Sequence, residues 1–161
     1  MEHFGPKIKR IDQLFKIRMN KNLEQLDITV SQMHVLLHLF HHRDSKITQK
    51  QLSECFEVKH STMAGILNRL SEKELIEITV DNENKKYKNI TLTGKALEKI
   101  ELMLCQRNET EAILIDGFSK KEIEDLHGYL ERLYNNLVKG TDISDKDIHG
   151  FNKELERRHN D

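Results

Sequence analysis

Apolar residues recur at helical spacing from the start of the chain: Ile8, Ile11, Leu14, Phe15 and Met19 form one stripe behind Gly5-Pro6. Proline near the first helical position loses no N–H that the helix needs, and the stripe requires a covering partner. Next, Thr29-Val30-Ser31-Gln32 has the form of a capping box, in which hydroxyl and amide satisfy two free backbone N–H groups, and it leads into Met33, Leu36, Leu37 and Phe40. A second helix to about His42 is expected. Asp44-Ser45-Lys46 reads as a turn and Ile47 as a short strand; Thr48-Gln49-Lys50-Gln51 repeats the capping box ahead of Leu52, Cys55 and Phe56, a short third helix. A fourth helix begins near Ser61-Thr62, with Met63, Ile66, Leu67 and Leu70 on one face and Ala64, Gly65, Asn68 and Arg69 on the other.

The period then changes to two. Leu75–Val80 and Lys88–Leu92 alternate as strands do, with Asp81-Asn82-Glu83-Asn84 as the turn between them. Three helices followed by a two-stranded hairpin make a winged helix-turn-helix: a mainly α fold with a small β wing. Thr93 caps a long helix carrying Leu97, Ile100, Met103 and Leu104, which reaches toward Ile113-Leu114-Ile115. Ser119-Lys120-Lys121-Glu122 opens another helix, with Ile123, Leu126, Leu130, Leu133 and Leu137 on its stripe and Tyr129, Tyr134 and Val138 beside it. So broad a face must bury against more than one neighbour. Gly140 can stop that helix. The tail 141–161 has a weak cap at Ser144 followed by Ile148, Phe151 and Leu155, the pattern of a short docked helix.

Composition narrows the function more than the fold. A chain of 161 residues, 37% hydrophobic and 33% charged with one Pro and seven Gly, suits one soluble helical domain over residues 1–161. No apolar run approaches the ~18–20 residues of a membrane span, and the first residues lack a basic segment followed by an apolar one, so a cytoplasmic protein with no membrane partner is expected. Cys55 and Cys105 have no C-x-x-C partner, which argues against a disulfide scaffold or a Cys-rich metal module. There is no phosphate-cradling glycine loop, no G-x-S-x-G and no H-E-x-x-H; neither enzymatic activity nor a cofactor is expected. Charge is −1 overall but uneven: residues 43–95 hold ten Lys/Arg against eight Asp/Glu, whereas 96–161 hold ten against fifteen. The wing turn concentrates the positive charge in Asn84-Lys85-Lys86-Tyr87-Lys88, a form suited to phosphate contact.

In order and spacing these segments resemble the MarR (multiple antibiotic resistance regulator) family of bacterial transcription factors over residues 5–140. The resemblance rests on Ile28-Thr29 with Gln32-Met33 and Val35-Leu36, on Thr48-Gln49-Lys50-Gln51-Leu52, on Ser61-Thr62-Met63, on Leu70-Ser71-Glu72-Lys73-Glu74-Leu75-Ile76, on the Asp81 to Lys86 wing, and on Leu92-Thr93-Gly94-Lys95-Ala96. It implies a homodimer in which residues 28–95 form the DNA-binding lobe, while 5–26 and 96–140 form a helical dimerisation lobe whose first and last helices interlock. The fourth helix would enter the major groove of a double-stranded operator and the wing tip a minor groove. Carried onto this chain, Ser61, Thr62, Ala64, Gly65 and Asn68 would face bases or phosphates, with Arg69 and Lys73 nearer the DNA backbone. His60 and the wing residues Asn84, Lys85, Lys86 and Lys88 complete the DNA-facing set, and Gln49 is a phosphate-contact candidate at the start of the third helix. Two positions depart from the family pattern. Gly65 stands where many relatives have a long polar side chain, and Asn84-x-Lys86 stands for Asp-x-Arg, replacing a planar guanidinium by a point charge.

The resemblance further implies a repressor released from a pseudo-palindromic operator by a small, largely apolar or aromatic ligand, with Phe15, His34 and His38 as candidate pocket residues. His34, His38 and His41 share one face at i, i+4 and i+7, so a metal-responsive regulator is the alternative at the same place; their other reading is a half-exposed polar face. Zinc-sensing relatives use histidines on the long helix after the wing, and between Leu97 and Ile115 this chain has none. Peroxide-sensing relatives carry cysteine near the start of the first helix, again absent here. A winged-helix dimer that binds protein rather than DNA is the remaining rival.

Overall fold

The computed structural model describes residues 3–80 and 88–140. Its elements run α1 (Phe4–Gln25), α2 (Val30–His41), α3 (Gln49–Cys55), α4 (His60–Glu72), β1 (Ile76–Val80), β2 (Lys88–Leu92), α5 (Gly94–Leu114) and α6 (Lys120–Lys139). The described residues fall into two compact units divided between Arg107 and Asn108, inside α5. The wing tip, 81–87, and the tail 141–161, with its expected short helix, lie outside the described residues.

All three strong capping boxes close as their sequences require. Thr29 and Gln32, Thr48 and Gln51, and Ser119 and Glu122 each exchange side-chain and backbone hydrogen bonds, fixing the starts of α2, α3 and α6. Thr93 Oγ1 accepts from Ala96 N–H at 3.2 Å to start α5, and its own hydroxyl donates to Glu74 O at 2.7 Å.

Three helices of the first unit end alike, and without glycine. Asp27, Glu57 and Glu74, the residues just past the caps of α1, α3 and α4, have φ of 54°, 53° and 59°. In each case the next N–H reaches back to the helix's last full turn: Ile28 to Leu23 O at 2.9 Å, Val58 to Ser53 O at 3.1 Å and Leu75 to Leu70 O at 2.9 Å. This Schellman closure satisfies carbonyls the helix end leaves open and turns an apolar residue inward. Left-handed backbone costs an L-residue roughly 1–2 kcal/mol, a strain the closing bonds and the burial of Ile28 and Leu75 offset.

The core of the first unit lies among α2, α3, α4 and the hairpin. Val35, Leu36, Leu52, Met63, Leu67, Leu70 and Leu75 are wholly buried, joined by Ile76 and Ile90 from the strands and by Ala96 and Ile100 from α5. A fully buried side chain of this kind stabilises by about 1.5–3 kcal/mol. The strands pair antiparallel with Ile76 opposite Leu92 and Val80 opposite Lys88. The short strand expected at Ile47 is reduced to one bridge, Thr48 with Asn89, where Ile90 N–H donates to Ile47 O at 3.0 Å.

The terminal helices behave differently. Along α1 only Leu23 is buried, and Phe4, Ile8, Ile11, Leu14 and Ile17 are exposed. In the second unit α6 has no buried residue at all; Tyr129, Leu130, Leu133, Tyr134 and Leu137 lie open. No helix among the described residues is long and apolar enough to cross a membrane.

Candidate nucleic-acid interface

The exposed face of α4 is fixed by what its other face must do. Met63, Leu67 and Leu70 at i, i+4 and i+7 point into the core, and that anchoring turns His60, Ser61, Thr62, Gly65, Asn68, Arg69 and Glu72 outward, with Ala64 half-buried at the margin. A Cβ added to Gly65 would meet no atom within 4 Å. Nothing among the described residues demands glycine here. Gly65 is exposed, which leaves the helix backbone at that point open to whatever approaches.

Helix α3 packs on α4, and the two are tied at their beginnings. Gln49 Nε2 donates to His60 O at 3.1 Å and lies 3.0 Å from His60 Nε2. Gln49, expected to meet phosphate, is thus engaged with the first residue of α4. That helix starts without a side-chain cap, its N-cap residue being Lys59; its open N–H groups and the hydroxyls of Ser61 and Thr62 make a donor-rich end suited to an anion. Lys88 is exposed at the start of β2. The wing-tip candidates Asn84, Lys85 and Lys86 lie outside the described residues.

Lys73 has a different setting from the DNA-backbone position expected of it. Its ammonium donates to Asp27 O at 2.6 Å and to Gln32 Oε1 at 3.4 Å, and pairs with Asp27 Oδ1 at 3.0 Å. The side chain is 28% exposed, against 82% for Asp27. An ion pair with so exposed a partner contributes only about 0–1 kcal/mol, so the carbonyl bond at the end of α1 is the more telling contact. Lys99 of α5 donates to the adjacent carbonyl, Leu26 O. Arg69, by contrast, is exposed.

The histidines of α2 also depart from expectation. His34 and His38 are buried, while His41 is exposed and sits edge-on to Phe40. The half-exposed polar face gives way because α2 is covered by α1, α4 and β2, leaving its apolar residues and the two histidines in one packed layer. His38 stacks on His42 at 4.3 Å and meets the Phe56 edge at 5.5 Å; its Nδ1 lies 3.9 Å from Cys55 Sγ, and its carbonyl accepts from His42 Nδ1 at 3.0 Å. Among the described residues no three His, Cys, Asp or Glu side chains gather to hold a metal, so His34, His38 and His41 do not form the ligand set their spacing allowed. Phe15 is half-buried on α1. Sequence reasoning missed the Gln49–His60 link, whose signal was only that a residue at the start of α3 and one at the start of α4 both carried polar rings or amides.

Helix-turn-helix, hairpin wing and an outward polar face on the second helix of the motif define a winged-helix regulator of nucleic acid. The MarR family model matches residues 26–86, and the chain belongs to the MarR family, whose members are DNA-binding transcriptional regulators. Among solved structures it is similar to MepR of Staphylococcus aureus. A selenomethionine variant of MepR from a multidrug-resistant clinical isolate is 30% identical, covering 85% of this chain and 99% of that one with a TM-score of 0.70. The MepR–DNA complex is 29% identical over 80% and 96% of the two chains, TM-score 0.73. MepR described as a transcription regulator of the multidrug efflux pump MepA is 27% identical over 84% and 99%, TM-score 0.76.

Proposed function

We propose that this protein is a cytoplasmic homodimeric repressor that reads a pseudo-palindromic operator through α4 and is released by a small, largely apolar or aromatic ligand. One observation carries the DNA-reading half: α4 is locked by Met63, Leu67 and Leu70 so that a polar, donor-rich face with an open backbone position at Gly65 is left outside. The similarity to MepR, solved in complex with DNA, supports the same reading. The dimer is supported by the apolar surface that each chain leaves open, on α1 from Phe4 to Ile17 and on α6 from Tyr129 to Leu137, which a second copy would remove from water.

Residues 28–95 form the reading lobe in this proposal, and 5–26 with 96–140 the dimerising segments. Ser61, Thr62, Asn68 and Arg69 meet DNA directly, and Lys85, Lys86 and Lys88 attract phosphate from the wing. The ligand is bounded by Phe15 on α1 and by His34 and His38 on α2, and releases DNA by favouring a spacing of the two α4 helices that the operator does not fit; a preference of about 100-fold supplies about 2.7 kcal/mol of coupling. Footprinting on DNA upstream of the gene tests the architecture. Two protected half-sites with centres about 10–11 base pairs apart are expected. Protection of one half-site by a monomer overturns it. Titrating that complex with a panel of aromatic cations and phenols, and with zinc and chelator, tests the ligand: release by an organic compound supports the pocket, and release by zinc alone replaces it with a metal.

A further inference from the structure

The contact between Gln49 and His60 has a chemical consequence. A backbone carbonyl can only accept a hydrogen bond, so the Gln49 atom 3.1 Å from His60 O must be the amide NH2 and not the amide oxygen. The same nitrogen lies 3.0 Å from His60 Nε2. An amide nitrogen has two hydrogens and no lone pair to offer; one hydrogen goes to the carbonyl and the other to the ring, so Nε2 must present its lone pair. A neutral imidazole with an accepting Nε2 carries its proton on Nδ1.

We propose that Gln49 is a positioning residue that fixes His60 in the Nδ1–H form, making this exposed ring a hydrogen-bond donor toward a phosphate oxygen at the open N-terminus of α4. Histidine free of such a partner favours the Nε2–H form, in which Nδ1 would turn a lone pair toward the phosphate. Gln49 therefore acts on DNA through His60 and not by its own contact. The DNA half of this statement rests on the function proposed above; the tautomer half does not.

Two measurements on the full-length protein separate them. Nitrogen-15 spectra of the free protein at about pH 8.5, where imidazoles are ordinarily neutral, report which ring nitrogen of each histidine carries the proton, and the signal missing in His60→Ala assigns the residue. His60 is expected as Nδ1–H in the wild type and as mainly Nε2–H in Gln49→Ala. An Nε2–H ring in the wild type, or an Nδ1–H ring that persists in Gln49→Ala, overturns the proposal. The second measurement is affinity for the upstream duplex and for a scrambled duplex. His60→Ala should weaken both by about 10-fold and Gln49→Ala by about 3-fold, the scale of a single hydrogen bond, with the double variant no weaker than His60→Ala. A double variant weaker by the product of the two losses means that Gln49 touches DNA itself and overturns its positioning role. Losses confined to the upstream duplex overturn the phosphate assignment. If the wild type binds neither duplex, the regulator reading fails, and the spectra alone then decide whether Gln49 sets the ring.

Discussion

Helices α4 and α6 are both amphipathic, yet α4 buries Met63, Leu67 and Leu70 within its own chain while α6 buries nothing. The α4 stripe is narrow, matched to one packed layer, and its opposite face is left polar. The α6 stripe is wider, with Tyr129, Leu130, Leu133, Tyr134 and Leu137 in the open, Leu137 at 69% exposure. An apolar stripe calls for cover, and α4 finds it within the first unit while the wider stripe of α6 is left exposed.

The sharpest way to break this comparison is to cut into both stripes. Leu67→Ala should cost about 2–5 kcal/mol of unfolding free energy, measured by denaturant titration, because the site is sealed on all sides. Leu137→Lys should leave the first unit's folding intact and, in the homodimer proposed above, shift the protein toward monomer in sedimentation. A large stability loss from Leu137→Lys without dissociation would mean that α6 is covered within one chain.

A second contrast lies within the basic and polar residues at α4. Asn68→Ala should weaken the specific site by about 1–3 kcal/mol more than random DNA if it reads a base edge. Lys73→Met should instead lower the melting temperature, by the loss of bonds worth about 0.5–1.5 kcal/mol each, and leave the salt dependence of DNA binding unchanged. A reduced salt slope in Lys73→Met would return that residue to the phosphate-contacting set.

Backbone substitutions give smaller effects. Glu57→Gly should raise stability by about 1 kcal/mol, since glycine adopts the left-handed conformation without strain; this is a gain at a helix end, where glycine inside a helix is a loss. Gly65→Ala should stabilise α4 by a similar ~1 kcal/mol and weaken DNA binding if helix backbone meets the groove wall. Unchanged affinity in Gly65→Ala would place the DNA farther from the helix at that turn.

The smallest effect concerns the start of α6. The Ser119 hydroxyl, and then its backbone N–H, donate to the Glu122 carboxylate at 2.7 and 2.8 Å and hold its pKa below the ordinary value. A carboxyl lowered in the folded state stabilises above its unfolded pKa, and that contribution is lost as pH falls through the lowered folded value. Helicity followed by circular dichroism on acidification should therefore show a small loss in the acidic carboxylate range that Glu122→Gln abolishes.

Local chemistry was the legible part. The three strong capping boxes were readable because donor and acceptor sit three residues apart, and the exposed face of α4 because burial follows the helical period. The helix ends at Asp27, Glu57 and Glu74 were not, since the usual marker is glycine and these are acids. The setting of Lys73 was hidden for another reason: its partner Asp27 is 46 residues away, a relation only tertiary packing creates. Burial of His34 and His38 was likewise invisible, because a histidine row at helical spacing is the same string whether it faces water or a packed layer.

The end of α1 is a joint with two pins. Leu26 O is held by Lys99 from α5 and Asp27 O by Lys73 from the end of α4. Flexible as a lysine side chain is, its reach is finite, and two of them set at adjacent carbonyls constrain translation and rotation together. Swinging α1 about that point tilts the tail of α4 and the adjoining turn of α5 with it, or else breaks a bond, so motion of the amino-terminal helix is geared to α4.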